Sequence, residues 1–209
     1  MVQLFVIITV RKEKDVMTIN IEQYAKDNNG LLTYSMLRKY YNKPQIRKYV
    51  DELVISKVAK GVYYYKDYTV DMMRVYQVSN STIVYSHETA AYLHNLTDRF
   101  PRKYCITVKQ GTSLRNRKDF NIFYVNQKTY DMGVVTVRNN LNNDVITYDQ
   151  ERTVCDMIRS KDRVELQVYT NVIQNYFKNK PNMSKLINYA KHFNIVEEVY
   201  EISLLLQKG

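Results

Sequence analysis

Three histidines, two cysteines and a few spaced carboxylates are the side chains of this sequence that carry bond-making chemistry. His87 and Glu88 open a helical segment as in a zinc hydrolase, but that metal site needs a second histidine four positions after the first, and the position is Ala91. His87, His94 and His192 are too scattered to frame a metal site. Gly111 and Ser113 resemble a phosphate-binding loop only in outline, because neither a Walker lysine nor paired downstream carboxylates follow. Cys155 lies beside Val154 and near Ile158, the setting of a small buried hydrophobe and not of a nucleophile. Arg152 and Asp156, four apart, are expected to pair on a helix surface. No catalytic set emerges and no cofactor is expected, so the chain reads as a binding protein and not an enzyme.

Charge points to the partner. Lys and Arg number 31 against 21 Asp and Glu, a balance of +10 with a pI near 9.4. Such an excess implies an anionic partner, with nucleic acid ahead of membrane surfaces and acidic proteins. Residues 1–70 hold 12 basic and 7 acidic side chains, half of the whole excess in a third of the chain. Lys43, Arg47 and Lys48 fall on one short helix there, and Lys57, Lys60 and Lys66 on a hairpin after it. In a winged helix these elements meet DNA: Arg47 or Lys48 would read guanine, Gln45 adenine, and the other lysines phosphates. Tyr34 and Ser35, and Tyr63 and Tyr64 on the wing, would add hydroxyl contacts to the backbone. Mixed-charge helix faces are usually just solvated, but the element order favours DNA. A second basic run joins Arg99, Arg102 and Lys103 to Arg115, Arg117 and Lys118; a nucleic-acid surface, a dock for an acidic partner and a plain solvated loop fit it equally.

The elements that position these residues follow from local pattern. Residues 17–67 read as three short helices and a hairpin. The first carries Ile19, Ile21, Tyr24 and Ala25 and stops at Asn28, Asn29 and Gly30; Thr33 caps the second. Pro44 opens the third, with Ile46, Val50, Leu53 and Val54 as its apolar stripe. Ile55 to Tyr65 reads as two strands turning at Gly61. Residues 68–209 read as a larger domain. A helix over Thr69–Gln77 and another capped by Ser86 precede strands over Tyr104–Val108, Asn121–Val125, Val134–Val137 and Val145–Tyr148. Helices follow, one capped by Asp149, one by a capping box of Asp162 and Glu165, and two starting at Pro181 and Asn194. The fold class is α+β: an N-terminal winged helix-turn-helix followed by a small sheet packed by helices.

Composition sets the wider bounds. With 45% hydrophobic and 25% charged residues, the 209-residue chain has the make-up of one or two globular domains and not of a disordered segment. Two cysteines are too few for a secreted disulfide scaffold. The opening MVQLFVIITV lacks a basic region before it and a cleavage site after it, and is too short to span a bilayer. A soluble cytoplasmic protein is expected. Residues 1–16 read as an extension of uncertain order, either adding a strand at Val6–Val10 or lying upstream of an alternative start at Met17.

Two segments carry a family signature. VYSHETAAYLHNLTDRFP, Val84 to Pro101, with the strand CITV after it, and YDQERTVCDMIRSKD, Tyr148 to Asp162, together resemble the AbiEi family of abortive-infection antitoxins. The wing sequence KGVYYY, Lys60 to Tyr65, is similar to that family's as well, and the resemblance runs from about Met17 to the end. It implies the antitoxin half of a type IV toxin–antitoxin pair involved in phage defence. The winged helix would bind inverted repeats of double-stranded operator DNA, two copies per operator, and repress its own operon. The second domain would counter a nucleotidyltransferase-like toxin without a stable complex. The alternative is a winged-helix regulator whose second domain senses a ligand or dimerises; an enzyme acting on nucleic acid comes third.

Overall fold

The computed structural model describes residues 20–179 and 181–207. The expectations for residues 1–16, including the strand at Val6–Val10, and for Ile19 lie outside them. The chain divides into two compact units, the first ending at Val70 and the second starting at Asp71. Each combines helices with a small sheet, and the protein is α+β.

In the first unit α1 (Ile21–Lys26) begins where the Asn20 side chain accepts from the Glu22 amide, and it buries Ile21 and Ala25. Asn29 and Gly30, both at positive φ, end the turn that follows. A Cβ on Gly30 would stand 2.3 Å from the Cβ of Tyr68, so close approach demands glycine as well as backbone conformation. β1 (Leu31–Thr33) comes next, too short for alternation to reveal it in the sequence. Thr33 caps α2 (Tyr34–Leu37), accepting from the Met36 amide at 3.1 Å. A capping box between Asn42 and Gln45 starts α3 (Lys43–Asp51), with Pro44 second in the helix and not first. The helix ends before Leu53, which is 72% exposed at positive φ and so drops out of the expected apolar stripe. β2 (Ile55–Ala59) and β3 (Val62–Tyr65) then form an antiparallel hairpin, and β1 pairs with the free side of β3. Leu32, Leu37, Tyr41, Ile46, Ile55, Tyr63 and Tyr65 pack into one core with Ile21 and Ala25.

The second unit begins with α4 (Met72–Ser79), capped by Asp71, then β4 (Val84–Tyr85), α5 (His87–Leu93), β5 (Tyr104–Lys109) and β6 (Phe120–Val125). After α6 (Gln127–Tyr130), β7 (Val134–Arg138) and β8 (Asp144–Tyr148) complete a sheet of order β6-β5-β4-β8-β7. β5–β6 and β4–β8 are parallel and the other neighbours antiparallel. Four helices close the chain: α7 (Gln150–Arg159), α8 (Leu166–Lys178), α9 (Met183–Phe193) and α10 (Val196–Gln207). α7 is the hub. Every residue from Glu151 to Ile158 is buried, among contacts to α5, α8 and α9.

Several caps differ from the sequence reading. Ser86 occupies the N-cap of α5 but makes no cap bond, because its hydroxyl faces His87 and Thr107. Asp162 lies in a short 3-10 turn, and Glu165 at the start of α8 bonds Arg99 instead of the helix amides, so no capping box forms. Asn182 caps α9, accepting from Lys185, and Asn194 closes that helix in a left-handed conformation two residues before α10. Among the described residues no helix is long and apolar enough to cross a membrane.

Candidate nucleic-acid interface

α3 turns Ile46 into the core, which leaves Lys43, Gln45, Arg47 and Lys48 exposed. Arg47 Nε lies 3.8 Å from Asp51 and Lys48 Nζ 3.7 Å from Glu52. Exposed pairs of this kind are worth about 0–1 kcal/mol, so neither carboxylate holds its cation strongly. Gln45 is differently placed. Its Oε1 accepts from the Asn42 amide at 2.7 Å while its own amide donates to Asn42 Oδ1 at 2.9 Å. A bidentate contact to adenine needs that same oxygen, so Gln45 would first have to open the cap, at about 1 kcal/mol.

On the hairpin, Lys57 is exposed on β2, Lys60 at the turn and Lys66 just past β3. The Tyr34 amide donates to the Gly61 carbonyl at 2.7 Å, which fastens the start of α2 to the hairpin tip. Exposed Tyr34 and Ser35 therefore stand beside Lys60, a juxtaposition the sequence order alone does not contain. Tyr63 and Tyr64 correct the expectation of wing contacts: they are 9% and 1% exposed. The reason is topological, since β3 is the middle strand of its sheet.

In the second unit the parallel register sets Tyr104 opposite Phe120, so the segments leading into β5 and β6 emerge at the same end of the sheet. Exposed Arg102 and Lys103 on one and Arg117 and Lys118 on the other come together there. Of the same run, Arg99 bonds Glu165 and the Arg117 guanidinium also reaches the Tyr124 hydroxyl at 2.9 Å, while Arg115, whose backbone amide donates to Asn80 at 2.9 Å, has an exposed side chain.

Two residues of α5 and α7 have a setting that spacing does not reveal. Arg152 is 0% exposed and Asp156 2%, so their pair is buried and not on the helix surface as expected. Arg152 Nε donates to Asp156 at 3.1 Å, Nη1 donates to the Thr129 and Met132 carbonyls, and the guanidinium lies 4.1 Å from the Tyr148 ring centre and 4.6 Å from that of Phe193. Burial raises the Asp156 carboxyl against the pull of Arg152 and Arg159. Nearby, His87 sits in the left-handed region at φ 49, stacked 3.4 Å from the Phe123 ring centre. Thr107 donates to the Ser86 hydroxyl, which faces His87 Nδ1 at 2.9 Å, and Nε2 faces the Ser160 hydroxyl at 3.2 Å. A neutral imidazole protonated on Nε2 satisfies this chain. Burial, then the charges of Arg152, Arg163 and Arg159, hold the imidazole well below its ordinary value. Cys155 is buried in the main core with its thiol pushed up to about 12 by desolvation, as a packing residue requires.

No protein-family model and no curated protein matches the chain. Among solved structures it is similar to the RV2827C protein from Mycobacterium tuberculosis, with a TM-score of 0.60 and 9% identity over 82% of this chain and 69% of that one. At that identity the likeness is one of fold.

Proposed function

We propose that this protein is an AbiEi-like antitoxin of a type IV toxin–antitoxin pair that represses its own operon through its first unit. The observation that carries the DNA-binding half is the set of exposed cations on α3 and the β2–β3 hairpin, Lys43, Arg47, Lys48, Lys57 and Lys60, on a unit whose core is otherwise closed. Helix, strand, helix, helix and hairpin in that order, with β3 central, support reading the unit as a winged helix. Arg47 then enters the major groove while Lys60, with Tyr34 and Ser35 beside it, holds phosphates. Two copies act on an inverted repeat, in the cytoplasm. The second unit opposes a nucleotidyltransferase-like toxin, a role supported by the resemblance of the segments that form α5 and α7.

Fluorescence anisotropy against the duplex upstream of the gene, beside a shuffled duplex, tests the first half. Arg47→Ala is expected to cost about 1–3 kcal/mol on the upstream duplex and to erode the preference for it. Lys60→Ala weakens both duplexes alike and reduces the salt slope by about one unit. Equal affinity of the unaltered protein for both duplexes would reject operator recognition. Co-expression with the neighbouring toxin tests the second half, with restored growth as the expected result.

A further inference from the structure

The carboxyl ends of the parallel strands β5 and β6, tied by the Gln110 amide to the Val125 carbonyl at 3.0 Å, open into a cleft of about 390 Å3. Crevices at the carboxyl ends of parallel strands are common ligand sites in open sheets. Gln110, Tyr124 and Thr129 line it from the sheet and α6, and Arg159, His192 and Phe193 from α7 and α9. None of its lining residues is acidic. Three other clefts of the unit each set carboxylates beside their cations: Glu198 and Glu201 near Lys161, Glu88 and Glu165 near Arg99, and Asp144 near Arg74.

Positive charge is concentrated behind and above this cleft. Arg152 and Arg159 lie 4.6 and 4.5 Å from the Phe193 ring centre and share the carboxylate of Asp156, and Arg159 also borders the neighbouring cleft that holds Asp162, Glu198 and Glu201. Arg152 Nη2 is buried without a hydrogen-bond partner, on the same guanidinium whose Nη1 is held by the Thr129 carbonyl of the cleft wall. Tyr124, 42% exposed, lines the cleft, and its hydroxyl accepts from Arg117, which lies outside the lining. Of the Arg152 and Arg159 guanidinium groups only that of Arg159 lines the cleft, where no carboxylate does, and a guanidinium so placed suits a phosphate while the exposed Tyr124 ring suits a nucleobase.

We propose that this cleft binds a nucleoside monophosphate, with the phosphate on Arg159 and His192 and the base against Tyr124. The volume falls in the range of small-ligand pockets. The site belongs to the second unit and does not depend on operator binding by the first.

Isothermal titration of the full chain with AMP, GMP, CMP and UMP, and separately with inorganic phosphate, in a low-salt buffer free of phosphate, tests the proposal. At least one nucleotide is expected to bind one per chain, about tenfold more tightly than phosphate. Arg159→Gln is expected to weaken nucleotide and phosphate alike by about tenfold, and His192→Ala by a smaller factor in the same sense. Tyr124→Ala should bring the nucleotide down to the level of phosphate and leave phosphate unchanged. Because Arg159 also pairs with Asp156, the His192 and Tyr124 variants keep the test independent of folding. No saturable binding below about 5 mM, nucleotide no tighter than phosphate, or affinity unchanged in both of those variants would overturn it.

Discussion

Replacing Arg152 with methionine keeps most of the side-chain volume and removes the charge, which separates a buried ion pair from a surface one by measurement. In the structure the substitution leaves Asp156, 2% exposed, with Arg159 at 3.6 Å as its remaining cation. It also takes the donor from the Thr129 and Met132 carbonyls and the cation from between Tyr148 and Phe193. Breaking a buried pair by removing one partner costs about 3–5 kcal/mol, whereas an exposed pair at the same spacing on a helix is worth about 0.3–0.5 kcal/mol. For a unit of this size the larger figure lowers the unfolding temperature by about 10 °C or more.

Urea unfolding followed by circular dichroism at pH 8 reads the difference directly. A second signature comes from Asp156. With Arg152 gone, burial raises its carboxyl with less opposition, so the variant's folded state takes up a proton more readily than its unfolded state. A raised carboxyl costs stability above its folded-state pKa and recovers it as pH falls, so the deficit of Arg152→Met should shrink from pH 8 to pH 5. Adding Asp156→Leu should recover part of the loss at both pH values, since the stranded charge is then absent. A loss below about 1 kcal/mol at pH 8, independent of pH, would refute the buried-pair reasoning.

His87 gives the opposite pH sign. Its imidazole is held well below its ordinary value, so the unfolded chain binds a proton that the folded one refuses. Its contribution to stability is complete above about pH 6.5 and is lost below it at up to about 1.4 kcal/mol per pH unit. His87→Asn, which tolerates the left-handed backbone, should flatten that slope in urea titrations from pH 7 to 5; parallel slopes would contradict the assignment. Desolvation pushes the Cys105 thiol up to about 11 and that of Cys155 up to about 12, so both should resist a thiol reagent at pH 8 until urea exposes them. Reaction of either in the native protein would show that its helix or strand opens. Gly133 has φ 77, and a Cβ there would stand 2.8 Å from the Cβ of Arg152 and 3.0 Å from Asp149 Oδ2. Gly133→Ala should therefore cost more than about 1 kcal/mol by the same unfolding assay.

Where the deciding interactions are local, the sequence was a good guide. Thr33 and Asp149 announce their helices because a cap and its amide lie within three residues. β1 and β4, with three and two residues, exist only through their partners β3, β5 and β8, and no window along the chain contains those. The same limit explains Tyr63 and Tyr64. A hairpin is visible in the sequence, but the third strand that makes β3 central lies thirty residues upstream, and it is centrality that buries them. QERTVCDM reads as amphipathic because a spacing of four is identical for a surface pair and a buried one. Only the packing of α5, α8 and α9 around α7 distinguishes them.

The same argument applies to charge, and it bears on function. A net +10 suggests a surface uniformly attractive to polyanions, yet in the second unit much of that charge has a local counterpart. Lys185 joins Asp149 and Glu151 at 3.0 and 3.1 Å, Arg138 faces Asp144, Arg99 bonds Glu165, and Arg152 with Arg159 encloses Asp156. Among the described residues of the first unit the ion pairs are two weak ones on α3, and Lys57 and Lys60 stand exposed on the hairpin. A long polyanion such as duplex DNA is drawn by cations spread over an open surface, because affinity grows with the number of phosphates neutralised. A small anion is drawn by a few donors enclosed together, where water competes less. The two units differ in that respect, and the difference is why we propose duplex DNA for the α3 and hairpin surface and a single phosphate for the cleft beside Arg159.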